Sequence, residues 1–284
     1  MSKTALVTDS TAWLPKDLIA QYNITVAPQV LIWGEETLND GVDIQPEEFY
    51  TRIQTAKVMH TTSQVPVVTM QNIFGDLVGK GFDVLGIFIS SKLSGTIHSA
   101  VQGREMLGKG AEKVHVVDSQ STGMAMGFQV LAAARAVADG ASVADAKAIA
   151  EKARDHTGVY FAVETLEFLH RGGRIGGAAR LIGTALNMKP VLAVLDGRVE
   201  SVERIRTKSK ALDRVLELVM EKTNGQSPIH LAALHANAEQ EARSLLDRAN
   251  SRITVSESIL TGLSPVVGNH TGPGTVGLAY LAGM

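Results

Sequence analysis

The chain contains no cysteine, which excludes disulfide bonds, thiolate metal sites and thiol nucleophiles. Aromatic residues make up only 5% of its 284 residues, so aliphatic side chains and Met would line any apolar pocket. A formal net charge of -2 provides no general basic field for a nucleic-acid backbone. The sequence also lacks an apolar run long enough to span a bilayer, and its first residues lack the apolar segment of a secretory signal. We therefore expect a cytoplasmic globular protein.

Small hydroxyl residues recur at four places in the first half of the chain. They form TDST at 8–11, HTTSQ at 60–64, SSKLSGT at 90–96 and DSQSTG at 118–123, and three of these segments directly follow an apolar run. In an open parallel sheet, loops at the carboxyl ends of the strands surround the ligand crevice, and helix starts there offer unpaired N–H groups. Serine and threonine add neutral donors. The pattern predicts a binding site for an anionic head group.

Up to residue 156, apolar strand-like runs alternate with amphipathic helices. This alternation predicts a mainly parallel sheet that helices cover on both faces. Strands are predicted at 5–7, 24–32, 84–89 and 114–117, a loop at 34–41, and helices at 14–22, 46–53, 65–78, 94–107, 122–138 and from 142 onward. We expect a three-layer α/β/α domain over residues 1–156.

After residue 156 the pattern changes. Asp196-Gly197 separates two apolar runs and predicts a tight hairpin, because this dipeptide accepts positive φ. Strands are predicted at 159–163, 190–195, 199–205, 229–234 and 253–259, with helices at 207–223 and 238–250. We expect a smaller α+β domain with a mixed or antiparallel sheet over residues 157–284, and a ligand site between the domains.

Two glycine motifs are similar to nucleotide-binding sequences but lack the required context. GPGTVG at 272–277 has only seven residues after it, too few for the helix and second strand of a dinucleotide fold. GREMLGK at 103–109 has Gly110 where a P-loop needs Ser or Thr. We interpret the first as a turn beside His270 and the second as the end of a surface helix.

The histidines, serines and aspartates leave several interpretations open. The eight histidines show no metal-ligand spacing, but His270 lies in NHTGPG, a small-residue loop where it could face a ligand. Ser94 lacks a nucleophile elbow; it could cap a helix, or be activated by a histidine that is distant in sequence. Asp9 and Asp118 are interpreted as loop anchors, with Mg²⁺ binding as the alternative.

Two arginines lie in a glycine-rich segment, RGGRIGG, at 171–177. The glycines let the backbone approach another molecule closely, and guanidinium groups offer a bidentate fork. Arg171 and Arg174 therefore favour recognition of a carboxylate or phosphate over a simply solvated loop.

An ordered set of segments resembles the DegV family. It runs from Thr8 to Gly277 and comprises TDSTAWLP, TTSQ, SSKLSGTIHSA, VVDSQSTGMAMG, FLHRGGRIGG, NMKPVL, DGRVESVERIRT and HTGPGTVG. Two positions differ, since family members often have an acidic residue in place of Trp13 and proline in place of Val65. The resemblance implies a two-domain bacterial protein that buries one long-chain fatty acid between its domains. It further implies a FakB-type binding subunit that presents the carboxyl group to a separate ATP-dependent fatty acid kinase and then carries the acyl phosphate.

The resemblance also implies roles for individual residues. Thr62 and Ser94 would hydrogen-bond the carboxylate, with His270 nearby. The remaining implied residues are Thr61, Ser63, Gly95 and Thr96 beside the head group, Arg171 and Arg174 near its opening, and Arg206 on the surface that meets the kinase.

On this interpretation the chain is a non-catalytic carrier. It holds no metal or cofactor of its own, with ATP and Mg²⁺ on the kinase, and it has no nucleic-acid partner. It is not an integral membrane protein, although transient contact with a membrane surface is compatible with it. The alternative is a lipid or thioester hydrolase, or a phosphoryl-transfer enzyme, that uses Ser94 and His270.

Overall fold

The computed structural model describes residues 3–56, 60–182 and 188–284, so Asn187 of the NMKPVL segment lies outside the described part. The strands are β1 (Lys3–Asp9), β2 (Thr25–Ala27), β3 (Val30–Trp33), β4 (Glu36–Asn39), β5 (His60–Ser63), β6 (Phe82–Phe88), β7 (Val114–Asp118), β8 (Thr157–Ala162), β9 (Lys189–Leu195), β10 (Arg198–Ile205), β11 (Ile229–His235), β12 (Glu257–Gly262) and β13 (Val276–Ala282). The helices are α1 (Lys16–Gln21), α2 (Pro46–Thr55), α3 (Val67–Gly79), α4 (Thr96–Glu105), α5 (Gly123–Ala138), α6 (Val143–His156), α7 (Glu167–Arg171), α8 (Lys208–Thr223), α9 (Glu239–Asn250) and α10 (Pro265–Thr271).

A four-stranded parallel sheet, in the order β2-β1-β6-β7, forms the centre of the N-terminal part. Alternate residues of its strands face opposite layers, as the period of a strand requires. Val84 and Phe88 pack with α3 and α4 on one face, whereas Leu85 and Ile87 pack with α5 and α6 on the other. The predicted three-layer α/β/α arrangement is therefore confirmed.

A six-stranded mixed sheet, in the order β10-β9-β8-β13-β11-β12, forms the C-terminal part. Its strand pairs are antiparallel except for β11 and β12, which run parallel. Helices α8 and α9 cover one face, and α5 lies against the other. The predicted hairpin is present, because Asp196 (φ 48°) and Gly197 (φ 77°) form the turn between β9 and β10.

Helix α5 packs against both sheets. Its sequence, GMAMGFQVLAAARAVA, is apolar on nearly every side, and the residues from Gly123 to Leu131 are all buried. A helix that is hydrophobic all round is expected at such a central place. One apolar cluster consequently runs from the parallel sheet through Phe128 of α5 to Phe161 of the mixed sheet. The mixed sheet begins at Thr157, while the domain boundary at residue 156 stays a prediction.

A third, antiparallel sheet of β4, β3 and β5 was not expected. The predicted extended segment 24–32 divides at Pro28 and Gln29, so that β2 joins the parallel sheet and β3 joins the small one. The predicted loop 34–41 was wrong over its middle four residues, since Glu36–Asn39 forms β4 after a two-residue turn. β4 is mostly exposed at an edge, so its sequence shows no apolar alternation.

One strand near the C-terminus also differs from the expectation. The strand predicted at 253–259 begins later, because Glu257–Gly262 forms β12 while Ile253 packs beside α9 in the core.

Among the described residues, none of the helices has the length and apolar character needed to cross a membrane. In the same part of the chain, His, Asp and Glu side chains form no group able to hold a metal ion.

Candidate functional site

Three of the four hydroxyl segments lie at the carboxyl end of the parallel sheet, as predicted. They follow β1, β6 and β7 and occupy the loops that lead to the next elements. The fourth segment differs, because His60–Ser63 is itself a strand, β5, paired with β3. Its polar residues carry no apolar alternation, which explains why sequence periodicity failed to identify a strand there.

A hydrogen bond joins β5 to the C-terminal part of the chain. Thr62 Oγ1 lies 2.7 Å from Nε2 of His270. The expected loop around His270 was wrong, because His270 lies in the last turn of α10. Ser264 caps this helix by accepting from the Val267 N–H, and Gly272 (φ 79°) ends it. The glycines that suggested a loop in the sequence therefore mark where the helix stops.

The imidazole of His270 is neutral at physiological pH. Burial, with the positive charges of Arg174 and His60 as lesser causes, lowers its pKa to about 4. Its Nδ1 is buried and has no hydrogen-bond partner among the described residues. This nitrogen packs against Gly172, where an added Cβ would overlap it.

These contacts indicate which nitrogen of His270 carries the proton. A buried N–H without a partner is costly, so the paired Nε2 is the better place for it. His270 then donates to Thr62 Oγ1, and the Thr62 O–H is left available to donate to an anion.

Ser94 lies in the loop between β6 and α4. Its Oγ is 2.9 Å from Thr96 Oγ1 and accepts from the Thr96 N–H at 3.3 Å. Gly95, one residue later than predicted, occupies the N-cap position of α4, while the Ser94 hydroxyl accepts from the first N–H of the helix. A side chain at Gly95 would overlap the Gln64 amide, which leaves glycine as the residue that fits there.

Two adjoining cavities meet at the Thr62–His270 pair. The outer cavity, about 440 Å³, has a polar and basic wall that includes His60, Thr61, Arg171 and Asn269. The inner cavity, about 60 Å³, is lined by Ser63 and Ser94 together with aliphatic side chains: Ile89, Leu93, Leu169, Val199, Val266 and Val267. Thr62, Arg174 and His270 line both cavities. This junction suits a molecule with an anionic head and an apolar tail.

The two predicted arginines are held differently. Arg174 donates from Nε to the Leu93 carbonyl at 3.0 Å and from Nη1 to the Gly172 carbonyl at 2.8 Å. Its positive charge is therefore fixed beside the junction. Arg171 is exposed and forms an ion pair with Glu167, one helical turn earlier. Arg206 is exposed after β10 and lines neither cavity.

Further contacts hold the Thr62 and Ser94 sides of the site in place. The sequence did not predict them. His60 packs against Trp33 with tilted rings whose centroids are 4.8 Å apart, and its Nδ1 hydrogen-bonds Asn269 of α10. Gln29 is buried and donates from Nε2 to Asp9, while Ser94 Oγ lies 3.5 Å from its Oε1. No local motif indicates these residues, because each partner is distant in sequence.

The interpretation of the two aspartates as loop anchors is confirmed. Asp9 accepts from the backbone N–H of Thr11 at 3.0 Å and of Ile89 at 2.7 Å, which ties the β1 and β6 loops together. Asp118 accepts from the backbone N–H groups of Gln120 at 2.9 Å and Ser91 at 3.3 Å.

Ser94 and His270, the residues of the hydrolase alternative, do not form a catalytic triad among the described residues. A serine nucleophile needs a histidine base, and that base needs an orienting partner on its other nitrogen. His270 Nε2 is bonded to Thr62 rather than to Ser94, and its Nδ1 faces Gly172.

Comparisons with known proteins identify relatives of the whole chain. A family model described as "Uncharacterised protein, DegV family" matches residues 3–283. A curated DegV domain-containing protein of Streptomyces coelicolor is 35% identical over 276 residues, covering 96% of each chain. A solved structure described as fatty acid binding of a DegV family protein from Thermus thermophilus is 34% identical with a TM-score of 0.93, covering 99% of each chain. The structure of DegV from Bacillus subtilis, described as a fatty acid binding protein, is 31% identical with a TM-score of 0.90, covering 99% of this chain and all of that one.

The family match spans nearly the whole chain, and the likeness extends to the three-dimensional fold. The two-domain α/β architecture expected from the sequence is the one that these structures share. The protein belongs to the DegV family.

Proposed function

We propose that this protein binds a long-chain fatty acid, with its carboxylate at Thr62 and Ser94 and its acyl chain between the two sheets. The observation that carries the proposal is the junction of a basic outer cavity with an aliphatic inner one. The description of the Thermus and Bacillus relatives as fatty-acid-binding supports it. Thr61, Ser63, Gly95 and Thr96 complete the head-group surroundings.

Most of the affinity comes from the acyl chain. Burying about fifteen methylenes at ~0.8 kcal/mol each yields roughly 12 kcal/mol of gross driving force. A hydrogen bond to a charged group contributes about 1.5–3 kcal/mol. The hydroxyl groups therefore fix the position of the carboxylate and distinguish a free acid from an ester, while the tail holds the ligand in place.

Acyl-chain binding requires the inner cavity to widen. Its volume of about 60 Å³ is well below the roughly 300–1,000 Å³ that is usual for ligand pockets. Leu93 and Leu169 both line it; Leu93 lies in the loop after β6, where its carbonyl accepts from Arg174, and Leu169 lies in α7. We infer that these side chains move apart as the tail enters.

We also propose that the protein is the binding subunit of a fatty acid kinase system. Neutral donors leave the carboxylate oxygens nucleophilic, so a separate ATP-dependent kinase can phosphorylate the acid in place. Arg171 and Arg174 supply positive charge where the new phosphoryl group would lie. On this proposal ATP and Mg²⁺ belong to the kinase, Arg206 belongs to the surface that meets it, and the chain carries the acyl phosphate in the cytoplasm.

Native mass spectrometry of freshly purified protein tests ligand binding first. We expect one long-chain free acid per chain, lost on denaturation. Oleate and methyl oleate titrations then compare wild type with Thr62→Val, which keeps the shape but removes the hydroxyl. Loss of about 1.5–3 kcal/mol corresponds to roughly 10- to 150-fold weaker oleate binding, with methyl oleate unchanged. Thr37→Val, on the exposed strand β4, is the matched control.

Two results would overturn these proposals. An absence of bound lipid, together with ester turnover that disappears in Ser94→Ala, would replace the carrier with a hydrolase. Acyl phosphate formed from ATP by this chain alone would refute the division of labour with a kinase. Formation that requires an added fatty acid kinase supports it.

A further inference from the structure

A second cavity lies beyond the carboxyl ends of β1 and β2, apart from the head-group site. Its volume is about 340 Å³, within the roughly 300–1,000 Å³ that is usual for ligand pockets. It shares no lining residue with either head-group cavity. A wider surface groove next to it includes Trp13, Lys16 and Gln45 as well, so the cavity has a route to solvent.

The upper wall of this cavity is apolar and partly aromatic. Its aliphatic residues are Ala12, Leu14, Pro15, Ile19, Val26 and Pro28. Val42, which is 66% exposed, lies at the rim. Such a wall suits a small apolar ring or a short alkyl chain.

Trp13 adopts an uncommon backbone conformation to complete the wall. Its φ of 44° and ψ of 49° place a bulky residue in the left-handed region, at a cost of order 1–3 kcal/mol. Its ring lies against Gly41, where an added Cβ would be 3.0 Å from the indole. The chain therefore tolerates local strain while it presents a flat aromatic surface to the cavity.

The floor of the cavity carries two buried carboxyl groups, those of Asp9 and Asp40. Asp9 and Asp40 are 0% and 2% exposed, and within residues 3–56, 60–182 and 188–284 neither forms an ion pair with a cationic side chain. Neutral groups satisfy them instead: Ser10 Oγ donates to Asp40 at 2.6 Å, and Thr11 Oγ1 donates to Asp9 at 2.5 Å. Burial raises the pKa of both groups, to about 7 for Asp40, because the low-dielectric surroundings disfavour the ionised carboxylate.

These carboxyl groups favour a ligand with a positive charge over one with a negative charge. An ionised carboxylate repels an anion, whereas a bound cation stabilises the ionised form that burial otherwise disfavours. Lys16 is the cationic side chain that lines the cavity, and it is exposed at the mouth. Its long flexible stem allows the ammonium group to turn into solvent.

We propose that this cavity is a second binding site, for a small ligand that joins an apolar ring or short chain to an amine. Its lining residues are not among those of the two head-group cavities, and it stands whether or not the proposed fatty-acid site is correct.

Three probes of similar shape and different charge test the site. They are benzylamine, benzyl alcohol and benzoate, titrated into the protein while the two indole N–H signals are followed by ¹H–¹⁵N NMR. The chain has two tryptophans, so Trp33 serves as an internal reference for Trp13. We expect a saturable shift of the Trp13 signal that is tightest for benzylamine, weaker for benzyl alcohol and absent for benzoate, with Trp33 unaffected. Equal binding of benzoate, or no Trp13 response to any probe, would overturn the proposal.

Two variants test whether the carboxyl groups of the cavity cause the preference for benzylamine. Asp40→Asn should weaken benzylamine about tenfold and leave benzyl alcohol unchanged. Because Asp40 is buried and its replacement can impair folding, Val42→Lys at the exposed rim is the second variant. One added surface charge should weaken benzylamine by about two- to fivefold. Val68→Lys, 58% exposed on α3, is the matched control. If Val42→Lys and Val68→Lys bind benzylamine equally well, the cavity is not the site.

Discussion

Replacing Asp40 with asparagine should remove a pH-dependent penalty on stability. In the unfolded chain this carboxyl group ionises near its ordinary pKa of 3.8, whereas burial raises its pKa to about 7 in the folded protein. Between those two values the folded state binds more protons than the unfolded state. The free energy of unfolding therefore falls as the pH rises from about 4 to 7, and it levels off above that range. A difference of about three pKa units, at ~1.4 kcal/mol each, corresponds to about 4 kcal/mol.

The measurement is urea unfolding of wild type and Asp40→Asn at intervals from pH 4.5 to 8.0. Asparagine cannot ionise, and its oxygen can still accept from Ser10 or from the Val266 N–H. We expect the variant to gain about 3 kcal/mol relative to wild type between the ends of this range, because pH 4.5 already lies above the unfolded pKa. Asp17→Asn on the exposed face of α1 is the control and should leave the pH profile unchanged. Parallel profiles for wild type and Asp40→Asn would refute the reasoning.

Three further predictions concern other parts of the molecule. Gly172→Ala places a Cβ against Nδ1 of His270 and should weaken oleate binding about tenfold in a fluorescence titration, since overpacking costs about 1–3 kcal/mol; Gly79→Ala, which meets nothing within 4 Å, should bind normally. Hydrogen bonds lower the pKa of Glu257 to about 2, so its contribution to stability is complete above the unfolded pKa near 4.5 and is lost as the pH falls toward 2. Thermal unfolding over that acidic range should show a loss in wild type that Glu257→Gln lacks, and equal losses would contradict this assignment. Arg206→Glu should reduce kinase-dependent acyl phosphate formation without changing oleate affinity, and a normal rate would exclude Arg206 from the kinase surface.

The general architecture was predictable because hydrophobic periodicity reports burial directly. The runs that became β1, β6 and β7 are buried strands, and α5 is a long apolar helix. The Asp196-Gly197 turn was equally clear, because few dipeptides accept two positive φ values.

The small antiparallel sheet could not be read in the same way. β4 and β5 are polar and partly exposed, so neither strand has the alternation that marks a buried face. The sequence predicted a loop around His270 because glycines follow it, whereas Gly272 ends α10 just after that residue. The sequence did not predict a role for Gln29 or Asp40, because their hydrogen bonds join segments that only the folded chain brings together.

The Thr62–His270 hydrogen bond joins residues that are 208 positions apart in the chain. Contacts of such long range form late, because the entropy of closing a large loop must be overcome first. A nascent chain therefore cannot assemble the Thr62–His270 pair until α10 has left the ribosome. The same separation means that a truncated chain lacking α10 has no such pair, even where its parallel sheet has folded.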